Sequence, residues 1–224
     1  MRAIAGDLVK SAKFHHPAAI IASGSSGTGK TTMALNLVKN QHFTKQIKNV
    51  YYFGCPGSKP ERLDWHSILK NVSVRYSEGL PTESFFTTVK KNSFIVIDDQ
   101  YDDAVEDPVI SRAFKVYRHH MKFSIMLITQ SIFQGGKLAK GIRNNCQLFF
   151  LFKNYGDQKT NSTFTSRLEL KKRYKEALQE VSKVKYGYVL INTSEEVAHD
   201  SLRVGFNIFG EFSEFGPFPL YIGE

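Results

Sequence analysis

The chain contains several runs that are apolar at nearly every position rather than at every second one: Ala18-Ala19-Ile20-Ile21-Ala22, Phe94-Ile95-Val96-Ile97, Phe123 to Ile128 and Leu148 to Phe152. Runs of this length predict strands covered on both faces, which is the habit of a parallel sheet with helices on either side. Asn49 to Phe53 reads as a further strand closed by Gly54-Cys55-Pro56-Gly57, and Val72 to Tyr76 alternates as a half-exposed strand does. Helical spacing fills the gaps. Met33 to Val38 predicts a helix ending near Asn40, Glu61 to Asn71 a short helix around Trp65, and Pro81 to Phe86 a helix with proline in its first turn. Asp107-Pro108 opens a helix through Ile110, Phe114 and Tyr117 to Arg118-His119-His120. Leu138 to Asn145 forms another, and 157–182 a long basic one. Tyr186 to Asn192 and Leu202 to Phe209 read as closing strands. The pattern predicts an α/β fold with a mostly parallel central sheet, divided into a basic lead-in at 1–17, one domain at 18–211 and an aromatic, proline-rich tail at 212–224.

The first strand runs into Gly24-Ser25-Ser26-Gly27-Thr28-Gly29-Lys30-Thr31-Thr32, which fits G-x-x-x-x-G-K-[ST] and leaves on a helix. That strand–turn–helix context is what a phosphate-binding loop requires. Glycines let successive N–H groups converge on phosphate oxygens, and the helix adds the positive end of its dipole. Residues 24–32 are therefore the candidate nucleotide-binding loop. Lys30 would reach the β- and γ-phosphates, and the Thr31 hydroxyl is a hard oxygen suited to Mg²⁺. The rival reading is a Gly/Ser-rich surface turn.

Ser93 to Ile97 ends in Asp98-Asp99, and ligands of open α/β sheets bind at the carboxyl ends of strands. Asp98 is placed to hold Mg²⁺ across from Thr31, and Asp99 is the candidate general base for an attacking water. Alternatively, the pair caps a following helix. The strand Phe123 to Thr129 ends at Gln130. If it lies between the other two, Gln130 faces the γ-phosphate and reports its presence.

Thirty Lys and Arg against twenty-one Asp and Glu give a formal charge of +9, an excess that favours a polyanionic partner. Arg167, Lys171, Lys172, Arg173 and Lys175 group on one segment, either as a solvated face or as a DNA-facing one. Two cysteines, Cys55 and Cys146, lie far apart without metal-ligand spacing and read as spectator thiols of a reducing compartment. His15 and His16 read as an exposed loop rather than a metal site. No run approaches a membrane span, and the first residues lack a secretory apolar block, so the expectation is a soluble, intracellular protein.

The loop at Gly24–Thr32, the Asp98-Asp99 pair and the strand ending at Gln130 resemble the FtsK–HerA superfamily of ATP-driven DNA pumps. More narrowly, Val50 to Phe53, Glu78-Gly79-Leu80-Pro81, Phe94 to Asp99, and Arg118-His119-His120 followed by Ser124 to Gln130 resemble the packaging ATPases of poxviruses, other large DNA viruses and smaller relatives such as virophages and polinton-like elements. The resemblance covers about 18–160. It implies a P-loop NTPase of the additional-strand type, ATP and Mg²⁺ as cofactors, and double-stranded DNA as partner. It further implies a homo-oligomeric ring, hexameric or pentameric, and capsid vertex proteins as partners, with action at the viral assembly site and in the virion. Most of the wider superfamily carries Asp-Glu where this chain has Asp98-Asp99. Relatives complete each site with an arginine from the neighbouring subunit. Arg143, after the Gln130 strand, is the choice here, with Arg118 and Arg167 left open. Two rivals stand beside a DNA translocase: a small-molecule kinase, whose lid would follow Asp157, and a nucleotide-dependent switch, which lacks a guanine-reading Asn-Lys-x-Asp motif.

Overall fold

The all-apolar runs become the inner strands of one sheet. The computed structural model describes residues 4–5, 13–55, 64–132, 136–154, 163, 166, 170–194, 202–205 and 220–221. Its strands in chain order are β1 (Ile4–Ala5), β2 (Ala19–Ser23), β3 (Asn49–Gly54), β4 (Ser73–Glu78), β5 (Ser93–Asp98), β6 (Phe123–Thr129), β7 (Leu148–Phe152), β8 (Tyr188–Asn192), β9 (Leu202–Gly205) and β10 (Leu220–Tyr221). They lie in the order β1-β10-β9-β8-β7-β2-β6-β5-β3-β4. The stretch from β7 to β4 is parallel throughout, and the other edge is antiparallel. Strands from the lead-in and from the tail thus meet at that outer edge, although the sequence pattern sets both apart from the domain.

Alternate residues of the inner strands feed two cores. Ile21, Ile95, Ile97, Leu127 and Phe149 face one side, while Ile20, Val50, Phe94, Val96, Met126 and Phe150 face the other. Such double-sided burial, at roughly 25 cal/mol per Å² of apolar surface, explains why these strands tolerate so few polar residues. The first face is covered by α3 (Glu83–Thr88), α4 (Tyr101–Glu106), the run from α5 (Pro108–Arg112) through a π turn (Ala113–Tyr117) to α6 (Arg118–Met121), α7 (Lys137–Asn144) and the helix Lys171–Val181. The second is covered by α1 (Lys30–Lys39) and α2 (Trp65–Ile68).

Local chemistry sets the boundaries. Asp64, Thr82 and Asp107 cap α2, α3 and α5 through their side chains. Because Thr82 is the cap, Pro81 precedes α3 instead of lying in its first turn. Among the described residues the expected Glu61–Asn71 helix is the single turn Trp65–Ile68, with Trp65 fully buried. Residues 56–63, 133–135, 155–162, 195–201 and most of the tail, for which the pattern sets loops, helix or strand, lie outside the described residues.

The expected exposed His15-His16 pair is split. His15 is exposed, but His16 is buried, with Nδ1 2.7 Å from the Ser124 hydroxyl and Nε2 3.0 Å from the Lys122 carbonyl. Ser124, on the adjoining β6, supplies a polar niche that no local pattern announces.

His42 is also buried, and burial, aided by the nearby Lys13, pulls its imidazole from 6.5 down to about 4. The unfolded chain therefore binds the extra proton between these values. Stability is complete above about pH 6.5 and declines as the pH falls towards about 4, by about 3 kcal/mol from this residue. Chemical denaturation at pH 7 and pH 5 is expected to show about 2 kcal/mol of this loss, largely removed in His42→Gln. Equal midpoints for wild type at the two pH values would rule it out.

Candidate active site

The site begins where β2 gives way to the glycine loop. Gly24 must pass so close to β7 that a Cβ there would lie 2.5 Å from Phe152 Cβ. Gly27 and Gly29 hold φ of 74° and 95°, the left-handed region that favours glycine. Gly29 is also the N-cap of α1, where it brings no side chain, and the first turn holds no carboxylate. The leading N–H groups of α1 are thereby left to whatever anion the loop receives.

Lys30 is buried and folds back over the loop, donating to the carbonyls of Gly24 at 2.6 Å and Ser25 at 2.8 Å. Thr28 Oγ1 donates to the same Ser25 carbonyl at 2.8 Å. Burial pulls the Lys30 ammonium below its ordinary value, while Asp98 and Asp99 work against that shift. Ser26 stands exposed at the loop tip, and Thr32 is half-buried in α1.

Thr31 Oγ1 donates to Asp98 Oδ2 at 2.7 Å. This contact joins α1 to the end of β5, and the sheet order explains it. β6 lies between β2 and β5, pairing Ser23 with Thr129 on one side and Asp98 with Ile128 on the other. All three strands end at one level, so the loop, Asp98 and Gln130 share a rim. Tyr52 on β3 donates a second hydrogen bond to Asp98 Oδ2, at 2.6 Å.

Asp99 is exposed, with φ of 57°, a conformation few non-glycine residues adopt. Its carbonyl accepts from the Cys55 thiol at 2.7 Å. The acidic pair does not act as a side-chain cap: the N-cap of α4 is Gln100, which makes no side-chain cap bond. A cleft of about 600 Å³ opens beside Asp99 and is also walled by Tyr101, Thr129, Gln130, Ser131 and Asn154. Gln130 is exposed there, while its carbonyl accepts from Ser23 Oγ at 3.3 Å and Asn154 Nδ2 at 2.8 Å. Asn154 Oδ1 in turn accepts from Ser25 Oγ at 3.2 Å.

The arginines divide clearly. Arg118 is buried, and its guanidinium donates to the carbonyls of Phe114, Pro17 and Asn145 at 2.8, 3.1 and 3.3 Å. Arg143 donates to the Ile132 carbonyl at 3.0 Å and hydrogen-bonds the Tyr101 hydroxyl, both within its own chain. Arg167 lies outside the described residues.

Sequence pattern missed Tyr52 and Asn154. Both act across strands; Asn154 lies in no motif, and Tyr52 lies in the run Val50 to Phe53 with nothing there to single it out.

A mostly parallel sheet with helices on both faces, a glycine loop leading into α1 and one strand between that loop's strand and the Asp98 strand define a P-loop NTPase fold. Among solved structures the chain is similar to the genome packaging NTPase B204 of Sulfolobus turreted icosahedral virus 2 in complex with ATP-gammaS. The TM-score is 0.54 at 14% identity, covering 84% of this chain and 96% of that one. It is also similar to B204, the DNA-packaging ATPase of Sulfolobus turreted icosahedral virus, with a TM-score of 0.53 at 14% identity over 85% and 98% of the two chains. The likeness is one of fold. Compared as a sequence, the chain matches no family model and no curated protein. Among the described residues, no helix is long and apolar enough to cross a membrane.

Proposed function

We propose that the chain hydrolyses ATP and couples loss of the γ-phosphate to movement of double-stranded DNA, as a genome-packaging motor of the FtsK–HerA type. The observation that carries the hydrolytic half is the 2.7 Å contact between Thr31 and Asp98, with the Lys30 ammonium folded over the same loop. The Thr31 hydroxyl and the Asp98 carboxylate are hard oxygen donors on facing elements, a set that fits Mg²⁺. Bound between them, that ion would neutralise charge on the β- and γ-phosphates. Lys30 exchanges its loop carbonyls for phosphate oxygens, and the head of α1 orients the phosphate chain. Asp99, in the cleft wall opposite Gln130, polarises the attacking water, and Gln130 senses the γ-phosphate. The subunits assemble as a ring in which the half-buried Arg143, leaving its bonds to Ile132 and Tyr101, is the arginine offered to a neighbour, Arg118 being fully buried in its own chain.

Three observations support the DNA half: the fold shared with two viral packaging NTPases, the formal charge of +9, and the helix Lys171–Val181. That helix buries Tyr174, Ala177 and Val181 and exposes Lys171, Lys172 and Lys175. Duplex DNA is expected to stimulate hydrolysis several-fold. Replacing the three exposed lysines by alanine is expected to remove the stimulation, leave basal turnover unchanged and lower the salt slope of DNA binding by about two to three. Wild-type hydrolysis indifferent to duplex DNA, in a protein that stays monomeric with a non-hydrolysable ATP analogue, would overturn the motor. Phosphate transfer to a small metabolite would favour a kinase.

A further inference from the structure

We propose that Tyr52 positions Asp98 for the magnesium ion of the bound nucleotide, a role that rests on the nucleotide reading above. β3 is the neighbour of β5, and the register sets Tyr52 opposite Val96. Asp98, two residues further along, lies on the same face of the sheet. The length of the tyrosine side chain carries its hydroxyl along that face to Asp98 Oδ2, 2.6 Å away. The ring is fixed there. It is buried, edge-on to Trp65 at 5.6 Å and tilted against Tyr76 at 5.7 Å.

Asp98 Oδ2 thus accepts from two hydroxyls that differ in duty. Thr31 would itself offer an oxygen to the ion, so its bond to Asp98 would not be kept for aiming the carboxylate. Tyr52 has no such second task and keeps the carboxylate aimed. Phenylalanine at this position would fill the same space but leave the carboxylate free to turn.

The test is binding of a fluorescent, non-hydrolysable ATP analogue to wild type and Tyr52→Phe as Mg²⁺ is titrated. Without Mg²⁺ the two affinities are expected to agree within about twofold, because Lys30 and the loop are intact. The Mg²⁺ concentration at half-saturation is expected to rise about tenfold in Tyr52→Phe, the scale of one hydrogen bond to a charged group. The same change on an Asp98→Asn background is expected to add nothing. Should Tyr52→Phe not fold, fluorotyrosine at this position keeps the hydroxyl. Its fluorine resonance is then expected to move when Mg²⁺ joins the nucleotide, and to stay fixed in Asp98→Asn. An unchanged Mg²⁺ requirement, an equal loss of affinity without Mg²⁺, or an unmoved resonance overturns the role of Tyr52 and leaves the nucleotide reading standing. A wild type that does not bind the analogue overturns that reading itself.

Discussion

Lys30→Ala is expected to slow ATP hydrolysis by about a hundred- to a thousandfold, with the fold retained. The argument is electrostatic. Lys30 is held out of water at the head of α1, where burial lowers its pKa and the Asp98 and Asp99 carboxylates oppose that shift. A desolvated cation already oriented by two loop carbonyls needs little rearrangement when negative charge gathers on a transferring phosphoryl group. The structural loss is smaller, because the two carbonyls belong to a loop and not to the core. Steady-state hydrolysis and thermal melting, measured on the same preparation, separate the two effects. Wild-type turnover in a folded Lys30→Ala protein would place the chemistry elsewhere on the chain.

Arg118→Met is expected to act in the opposite way, costing about 3 kcal/mol of stability while hydrolysis per folded molecule persists. Arg118 sits at the far end of the sheet from the loop. Its three acceptors are Phe114 in the π turn of its own helical run, Pro17 just before Ala18, and Asn145 ahead of β7, so one guanidinium ties that helical run to the starts of the adjacent strands β2 and β7. The charge meets carbonyls rather than a carboxylate, and burial lowers its pKa. Methionine would remove that desolvation cost but orphan the carbonyls, and the second effect is the larger. For a chain of 224 residues the loss corresponds to a melting temperature lower by about 6 to 12 °C. Unchanged melting with collapsed hydrolysis would instead mark Arg118 as the arginine given to a neighbouring subunit.

The contrast between these residues shows what the chain reveals when read linearly. Lys30 and Thr31 lie in a contiguous motif, and Asp98 ends an unbroken apolar strand, so local pattern places them on the rim. The pattern alone leaves the place of β6 open; its position between β2 and β5 is what the resemblance implies, and the sheet order has it there. Tyr52 is different: its partner lies 46 residues away, and only the β3–β5 register brings them together. His16 looks like half of an exposed pair until Ser124, 108 residues on, provides its niche. Arg118 looks like any basic residue near a helix end. Its burial depends on where the starts of β2 and β7 fall, and hydrophobic periodicity carries no information about that. The alternative cap role of Asp98-Asp99 fails for a local reason, since α4 begins after Gln100 and takes no side-chain bond there.

Asn154 has one further consequence. Its amide accepts a bond from the phosphate loop through Ser25 and donates one to the carbonyl of Gln130 itself, so it spans the gap between them like a strut. A loop that shifts far enough to break the Ser25 bond also unlocks the support beneath Gln130. On the hydrolysis proposed above, departure of a phosphate from the loop would therefore be felt at Gln130 without any helix having to travel.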